Sequence, residues 1–437
     1  MSVLRQALLI AVTAVVVGFI VPAFFKPSYP VPEILGTVAP GFEEVREVFR
    51  QNYENGWDNP EAGSAFSVYQ EGRKVVDLWA GYADQEAKRL WSEDTMSIIF
   101  STTKGLGALC VAMLVDRGHL DFKKPVANYW PEFAQKGKDK ITVEQLMEHE
   151  AGLAVLNEPM TFDLMNNKSA MDKVLAETEP AWEPGTAHGY HTLSIGPYVD
   201  ALVRRADPKK RSIGKFFHEE VSKPFGIEAY IGVPLEQFHR VGRLVLVSAS
   251  PSMTLYALRQ SDFARKSILA PITGSLKLLT DTLTNCGEVC EFERLMDPDV
   301  LQNFELSSAA GIATASGIAK LFGILANGGK VDNKTLLSQG LIDEYANDRR
   351  GPTPDIVITD LMIRWKYGMD VIPQPNHKDN LFGSPGAGGQ VGYADPNNKL
   401  GYGFISRYMS PMGMQFHDPR IIYLQESVLR AIEKQKR

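Results

Sequence analysis

Phe100-Ser101-Thr102-Thr103-Lys104-Gly105, leading into the apolar run Leu106 to Arg117, is the stretch on which the fold reading turns. From Lys104 to Arg117 apolar residues recur at three- and four-residue spacing, which predicts a helix that begins close to the serine. Three residues make nearly one helical turn, so Lys104 projects from the same face as Ser101 and its amine reaches the hydroxyl. A serine hydroxyl is a poor nucleophile until a base takes its proton, and a lysine can do so once burial disfavours its ammonium form. The helix N-terminus then favours the negative charge that develops. Four residues with two free positions recur by chance, however, and the plain alternative is a serine that caps a helix followed by a solvated lysine. The surroundings of the motif decide between them.

Upstream, two β-rich runs, Ser64 to Gln70 and Lys74 to Ala80, flank Glu71-Gly72-Arg73 and predict a hairpin, preceded by an amphipathic helix from Pro40 to Asn55. Downstream, Gln390 to Asp395 and Leu400 to Arg407 flank Pro396-Asn397-Asn398-Lys399, and a helix from Pro419 to Lys434 follows. Strands from both ends are expected to share one antiparallel sheet. Between them the pattern is mainly helical, with Thr142 to Glu148, Thr192 to Arg205 and Ala315 to Asn327 adding further helices. Arg240 to Asp297 has no clear pattern and is read as a lid or substrate cover.

These blocks, taken in order, resemble the serine beta-lactamase and penicillin-binding protein superfamily, in its class C-like and esterase branch. The likeness runs from about Gly41 to Met409. It rests on VVDLWAGYAD, SIIFSTTKGLGALCVAMLVDRGHLDFKKPVANYWPEF, ITVEQLMEHEAGL, WEPGTAHGYHTLSIG, GIATASGIAKLFGILANGG and FGSPGAGGQVGYADP. The resemblance implies an α/β fold of the α+β type, with a helical region from about residue 105 to 370 inserted between two halves of an antiparallel sheet. The domain would span residues 40–437.

The resemblance further implies that Ser101 is the acyl-accepting nucleophile, an S-x-x-K serine. Tyr190, which follows Pro184-Gly185, would be the second base, its phenolate stabilised by the Lys104 cation, the two acting as a coupled pair. Thr192 stands where relatives carry an Asn that helps hold substrate and lysine. Ser384-Pro385-Gly386 stands where lactamases carry Lys-Thr-Gly and esterase-like relatives often His-x-Gly. The backbone N–H groups of Ser101 and Ala387 would form the oxyanion hole, with Thr192, Ser384 and Gly386 lining the substrate site. Ser384 has no positive charge to meet a substrate carboxylate, so a small acyl substrate such as an ester fits better than a penicillin. No cofactor or metal is called for. The rivals are an amidase or peptidase using the same residues, and a membrane-tethered scaffold that retains the fold without turnover. His149 looks structural by family position. His188 and His191, two histidines in a loop without carboxylate partners, read as hydrogen-bonded structure. There is no G-x-S-x-G elbow and no H-E-x-x-H. Gly323 to Lys330 imitates a phosphate loop but lacks its lysine, and reads as a helix ending in a glycine stop.

Composition agrees with an enzyme of this size. The chain has 437 residues, 22% charged and 44% hydrophobic, with a net charge of -6. That is the profile of a globular protein with ample core, and it removes the electrostatic reason to expect nucleic acid as a partner. Ala7 to Phe25 is different: 19 residues without a charge, followed by the Pro-rich stretch Pro27 to Pro32. It predicts a signal anchor or signal peptide in residues 1–25 and a linker over 26–39, which would place the hydrolase domain outside the cytosol. An Arg-rich amphipathic presequence for mitochondria fits less well. The sequons at Asn167 and Asn333 agree with a lumenal location. Cys110 reads as a small buried thiol, and the spacing of Cys286 and Cys290 leaves open a small disulfide or no pairing.

Overall fold

The computed structural model describes residues 30–244, 277–291, 294, 297–358, 361–374, 377–410 and 418–436. The Ala7 to Phe25 run and the middle of the expected cover region lie outside the described residues. Among the described residues no helix is long and apolar enough to cross a membrane.

The helices that matter here are α1 (Glu43–Glu54), α2 (Thr102–Asp116), α3 (Val143–Met147), α4 (Ile195–Ala206), α5 (Ala315–Ala326) and α6 (Pro419–Gln435). The strands that matter here are β1 (Leu35–Val38), β2 (Ser64–Gln70), β3 (Arg73–Ala80), β4 (Ser97–Ile98), β5 (Ala229–Ile231), β6 (Gly311–Ala313) and β7 (Thr353–Asp355). They continue with β8 (Leu361–Ile363), β9 (Trp365–Lys366), β10 (Met369–Ile372), β11 (Leu381–Gly386), β12 (Gln390–Asp395) and β13 (Leu400–Ser406).

Eight strands form the main sheet in the order β1-β3-β2-β13-β12-β11-β10-β9. The expected union of the two chain ends is made by β2 and β13, antiparallel in register from Ser64 opposite Ser406 to Gln70 opposite Leu400. One face of the sheet packs on α1 and α6 through Val45, Phe49, Phe66, Phe404, Leu424 and Val428. The other face meets the larger core, which is organised around α2. Every residue of α2 from Thr102 to Leu114 is buried, so it is an interior helix and not a surface one. α5 lies flat on β13 because Gly403 has no side chain: a Cβ there would come within 2.2 Å of the Ala315 carbonyl oxygen.

A smaller sheet, β4-β6-β5, delivers the chain to the start of α2. The β7–β8 hairpin pairs Thr353 with Ile363 and Asp355 with Leu361. The site therefore sits where the main sheet, α2 and the inserted helical region meet. α5 ends as expected at a glycine stop, with the Gly329 N–H donating to the Ile324 carbonyl at 2.8 Å. Cys286 and Cys290 form a disulfide.

Candidate active site

The turn from β4 into α2 passes through Phe100, whose φ of +44° lies in the left-handed region. A non-glycine residue there costs about 1–3 kcal/mol and persists only when its surroundings hold it. The Phe100 side chain is buried in the core, and the Thr103 hydroxyl donates to the Phe100 carbonyl while accepting the Gly311 N–H at 2.9 Å. Ser101 follows in helical geometry and its hydroxyl caps nothing, which leaves Oγ for other partners.

Two side chains converge on that oxygen. Lys104 Nζ lies 3.1 Å away, and the Tyr190 hydroxyl donates to it at 2.8 Å. Nζ also donates to the main-chain carbonyls of Thr192 at 2.7 Å and Ser308 at 2.8 Å, and sits 4.7 Å from the Tyr190 ring centroid. The Tyr190 ring stacks on Trp365 with centroids 5.3 Å apart. Burial holds Lys104 well below the usual lysine range, against the pull of the Asp370 carboxylate. Burial also pushes the Tyr190 phenol up, against its bond to Ser101. The low-dielectric interior thus drives both groups toward their neutral forms.

β11 runs against the nucleophile. A Cβ at Gly386 would fall 2.4 Å from the Ile99 carbonyl oxygen and 2.9 Å from Thr102 Oγ1, so only glycine permits the approach. Ala387 follows at the strand end, and neither its N–H nor that of Ser101 donates to an acceptor among the described residues. The two side chains expected to line the substrate site make hydrogen bonds of their own. The Ser384 hydroxyl is buried and donates to the Ser101 main-chain carbonyl at 3.1 Å, so it braces the nucleophile from behind. Thr192 turns its hydroxyl to the Tyr190 carbonyl at 3.3 Å and holds the lysine through its own main-chain carbonyl.

The structural reading of two histidines agrees with the geometry. His191 is buried, takes the Leu153 N–H on Nε2 at 2.8 Å, faces the Gly189 carbonyl through Nδ1 at 2.6 Å, and is pushed down to about 3 by burial. His149 accepts the His191 N–H at 3.2 Å. His188 differs from expectation, because it has a carboxylate neighbour: Nε2 lies 3.7 Å from Asp355 Oδ2. Burial pushes Asp355 up to about 6, while N–H donors from Ile358, Tyr190 and Val357 pull it back. Asp355, Ser308 and Trp365 went unnoticed in the sequence. Asp355 touches it through a carboxylate on the Tyr190 main chain, Ser308 through its carbonyl and Trp365 through ring stacking, and none of these leaves a local motif.

The beta-lactamase family model matches residues 49–426. The chain is 30% identical over 361 residues to the esterase/beta-lactamase LipL of Mycobacterium tuberculosis, covering 81% of this chain and 79% of that protein. Among solved structures it is similar to a family VIII carboxylesterase, 32% identical with a TM-score of 0.74 over 91% of this chain and 100% of that one. It is also similar to a penicillin-binding protein homolog from Caulobacter crescentus, 30% identical with a TM-score of 0.72, again over 91% and 100%.

Proposed function

The chain belongs to the beta-lactamase family of serine hydrolases, and on that premise we propose that it cleaves carboxylic esters through an acyl-enzyme on Ser101. The observation that carries this reading is the pair of contacts at Ser101 Oγ, from an amine and a phenol that burial drives toward their neutral forms. A neutral Lys104 amine has two N–H bonds to give, and the Thr192 and Ser308 carbonyls take both, so its lone pair is left for the serine proton. Ser101 Oγ then bonds to the ester carbonyl carbon, and its proton passes to Lys104. The carbonyl electrons move onto the oxygen, facing the N–H groups of Ser101 and Ala387. Collapse breaks the bond to the alcohol oxygen, which leaves with the proton returned by Lys104 and Tyr190. Water repeats the sequence on the acyl-enzyme and restores the serine.

The ester preference rests on Ser384. A lactam or a D-alanyl peptide brings a carboxylate, and Ser384 is neutral with its hydroxyl already committed to the nucleophile's backbone. A charge-assisted hydrogen bond is worth about 1.5–3 kcal/mol, so those substrates forgo roughly tenfold or more. A panel of p-nitrophenyl esters, a chromogenic cephalosporin and a D-alanyl-D-alanine peptide tests the choice. Esters are expected to lead in kcat/KM by at least about tenfold. Equal or faster turnover of the cephalosporin or peptide contradicts it.

We further propose that the charge-free Ala7 to Phe25 run directs the chain into or across a membrane. The Cys286–Cys290 bridge fits an oxidising compartment beyond it. Peptide mapping of native protein from membrane and soluble fractions tests this: recovery only from the soluble cytosolic fraction, with the run intact, contradicts it.

A further inference from the structure

Tyr190 hangs from a carboxylate that the reaction outlined above does not use. Asp355 ends β7 and is fully buried, and its Oδ1 accepts three main-chain N–H groups: that of Tyr190 at 3.1 Å and those of Val357 and Ile358 at 2.9 Å each. The other oxygen, Oδ2, faces His188 Nε2 at 3.7 Å, and the Trp365 indole lies near enough to the carboxyl to favour its charged form. His188 Nδ1 lies 3.2 Å from Thr353 Oγ1, and the His188 carbonyl accepts the Ile356 N–H at 3.2 Å.

The loop from His188 to Tyr190 is thus tied to the β7–β8 hairpin at both ends, and between the ties Gly189 brings the two backbones together. A Cβ at Gly189 would lie 2.9 Å from side-chain atoms of both Ile356 and Val357. The chain segment after the hairpin supplies Trp365, on which the Tyr190 ring stacks. The backbone nitrogen of Tyr190 is set by this hairpin, and one face of its ring by the strand that follows. A misplacement of about 1 Å in a catalytic group costs on the order of 10²-fold in rate, so an anchor at the main chain of the proton carrier has leverage on turnover.

We propose that Asp355 is a positioning residue for Tyr190, fixing the phenol against Ser101 through the main chain, with His188 closing the other side of the same carboxylate. The inference rests on the reading of Tyr190 as a proton carrier. It is separable from that reading, because Asp355 acts only through Tyr190, so its effect must vanish when the phenol is removed.

The test is a double-mutant cycle on ester hydrolysis by the full chain, with folding checked by circular dichroism and thermal melting. Asp355→Ala is expected to lower kcat at least tenfold with KM within threefold. Asp355→Asn, whose amide oxygen accepts the same N–H groups, is expected to restore kcat to within about threefold of wild type. In a Tyr190→Phe background, Asp355→Ala is expected to cost less than threefold, since the residue acts through the phenol. Should Asp355→Ala not fold, His188→Ala carries the same comparison, with a smaller fall in kcat that again disappears in Tyr190→Phe. A folded Asp355→Ala with wild-type kcat overturns the proposal. So does a folded Asp355→Asn as impaired as Asp355→Ala, or full additivity with Tyr190→Phe. Wild-type kcat in Tyr190→Phe alone refutes instead the reading of Tyr190.

Discussion

Lys104 carries the heaviest chemical demand of any residue in the site, because it has to be an amine where lysines are ordinarily ammonium. Burial lowers its proton affinity, so the base form accumulates as pH rises through a pKa well below that of an exposed lysine. kcat/KM for an ester is accordingly expected to climb with pH and to level off while surface lysines are still charged. A profile that is flat through the acid range, or one that climbs only where free lysine titrates, contradicts this. Lys104→Arg keeps a permanent cation at the site and is expected to cost roughly 10²–10⁴-fold in kcat, the usual worth of a general base, with little change in KM. Ser101, Lys104 and Tyr190 were legible in the sequence because reactive side chains must recur in fixed types and order. Asp355 was not, since a carboxylate that accepts the N–H of a residue 165 positions away follows no spacing rule. The histidines show the same limit. His149 and His191 behave as polar structure, while the carboxylate beside His188 comes from a strand that sequence alone does not bring near.

Among the elements, helix positions followed from apolar periodicity to within a few residues, and the differences have causes. α4 was expected from Thr192 and begins at Ile195. The Thr192 carbonyl is spent on Lys104, and the Leu193 carbonyl is shared between the Ser308 hydroxyl at 2.8 Å and the Gly196 N–H at 3.1 Å, so the regular ladder begins only beyond them. The seat of α5 on the sheet is set by glycines whose meaning appears only in three dimensions. At Gly403 a methyl group would meet main-chain atoms of α5, which cannot rotate away. Gly403→Ala is therefore expected to destabilise the fold by about 1–3 kcal/mol, as overpacking does, read as a lower denaturant midpoint at unchanged slope. Gly72, whose added Cβ meets nothing within 4 Å, serves as the control on packing, although its own φ of +78° makes any substitution there locally strained.

Across the whole molecule, the joining of distant segments is what makes the site. β2 and β13 bring the chain ends together, and Arg420 in α6 locks that union from inside. Its guanidinium is fully buried, 2.8 Å from Asp418 and 3.5 Å from Asp58, and it donates to the Gly388 carbonyl at 2.6 Å in the turn that follows Ala387. Removing one partner of a buried ion pair strands the others, so Arg420→Ala is expected to lose about 3–5 kcal/mol of stability by chemical denaturation. A loss below about 1 kcal/mol, the range of a surface ion pair, contradicts this role. That strands from the two ends share one antiparallel sheet was foreseeable from their patterns, whereas this lock was not, because charged residues in a helix and a loop look solvated until folding removes the solvent. The account as a whole requires that the hydroxyl of Ser101 be the group that takes the acyl chain. Mapping the adduct of a fluorophosphonate probe on the native protein by peptide mass spectrometry tests that directly. A single adduct on the peptide containing Ser101, absent from folded Ser101→Ala, is predicted. A folded wild type that stays unlabelled, or an adduct on another serine, contradicts it.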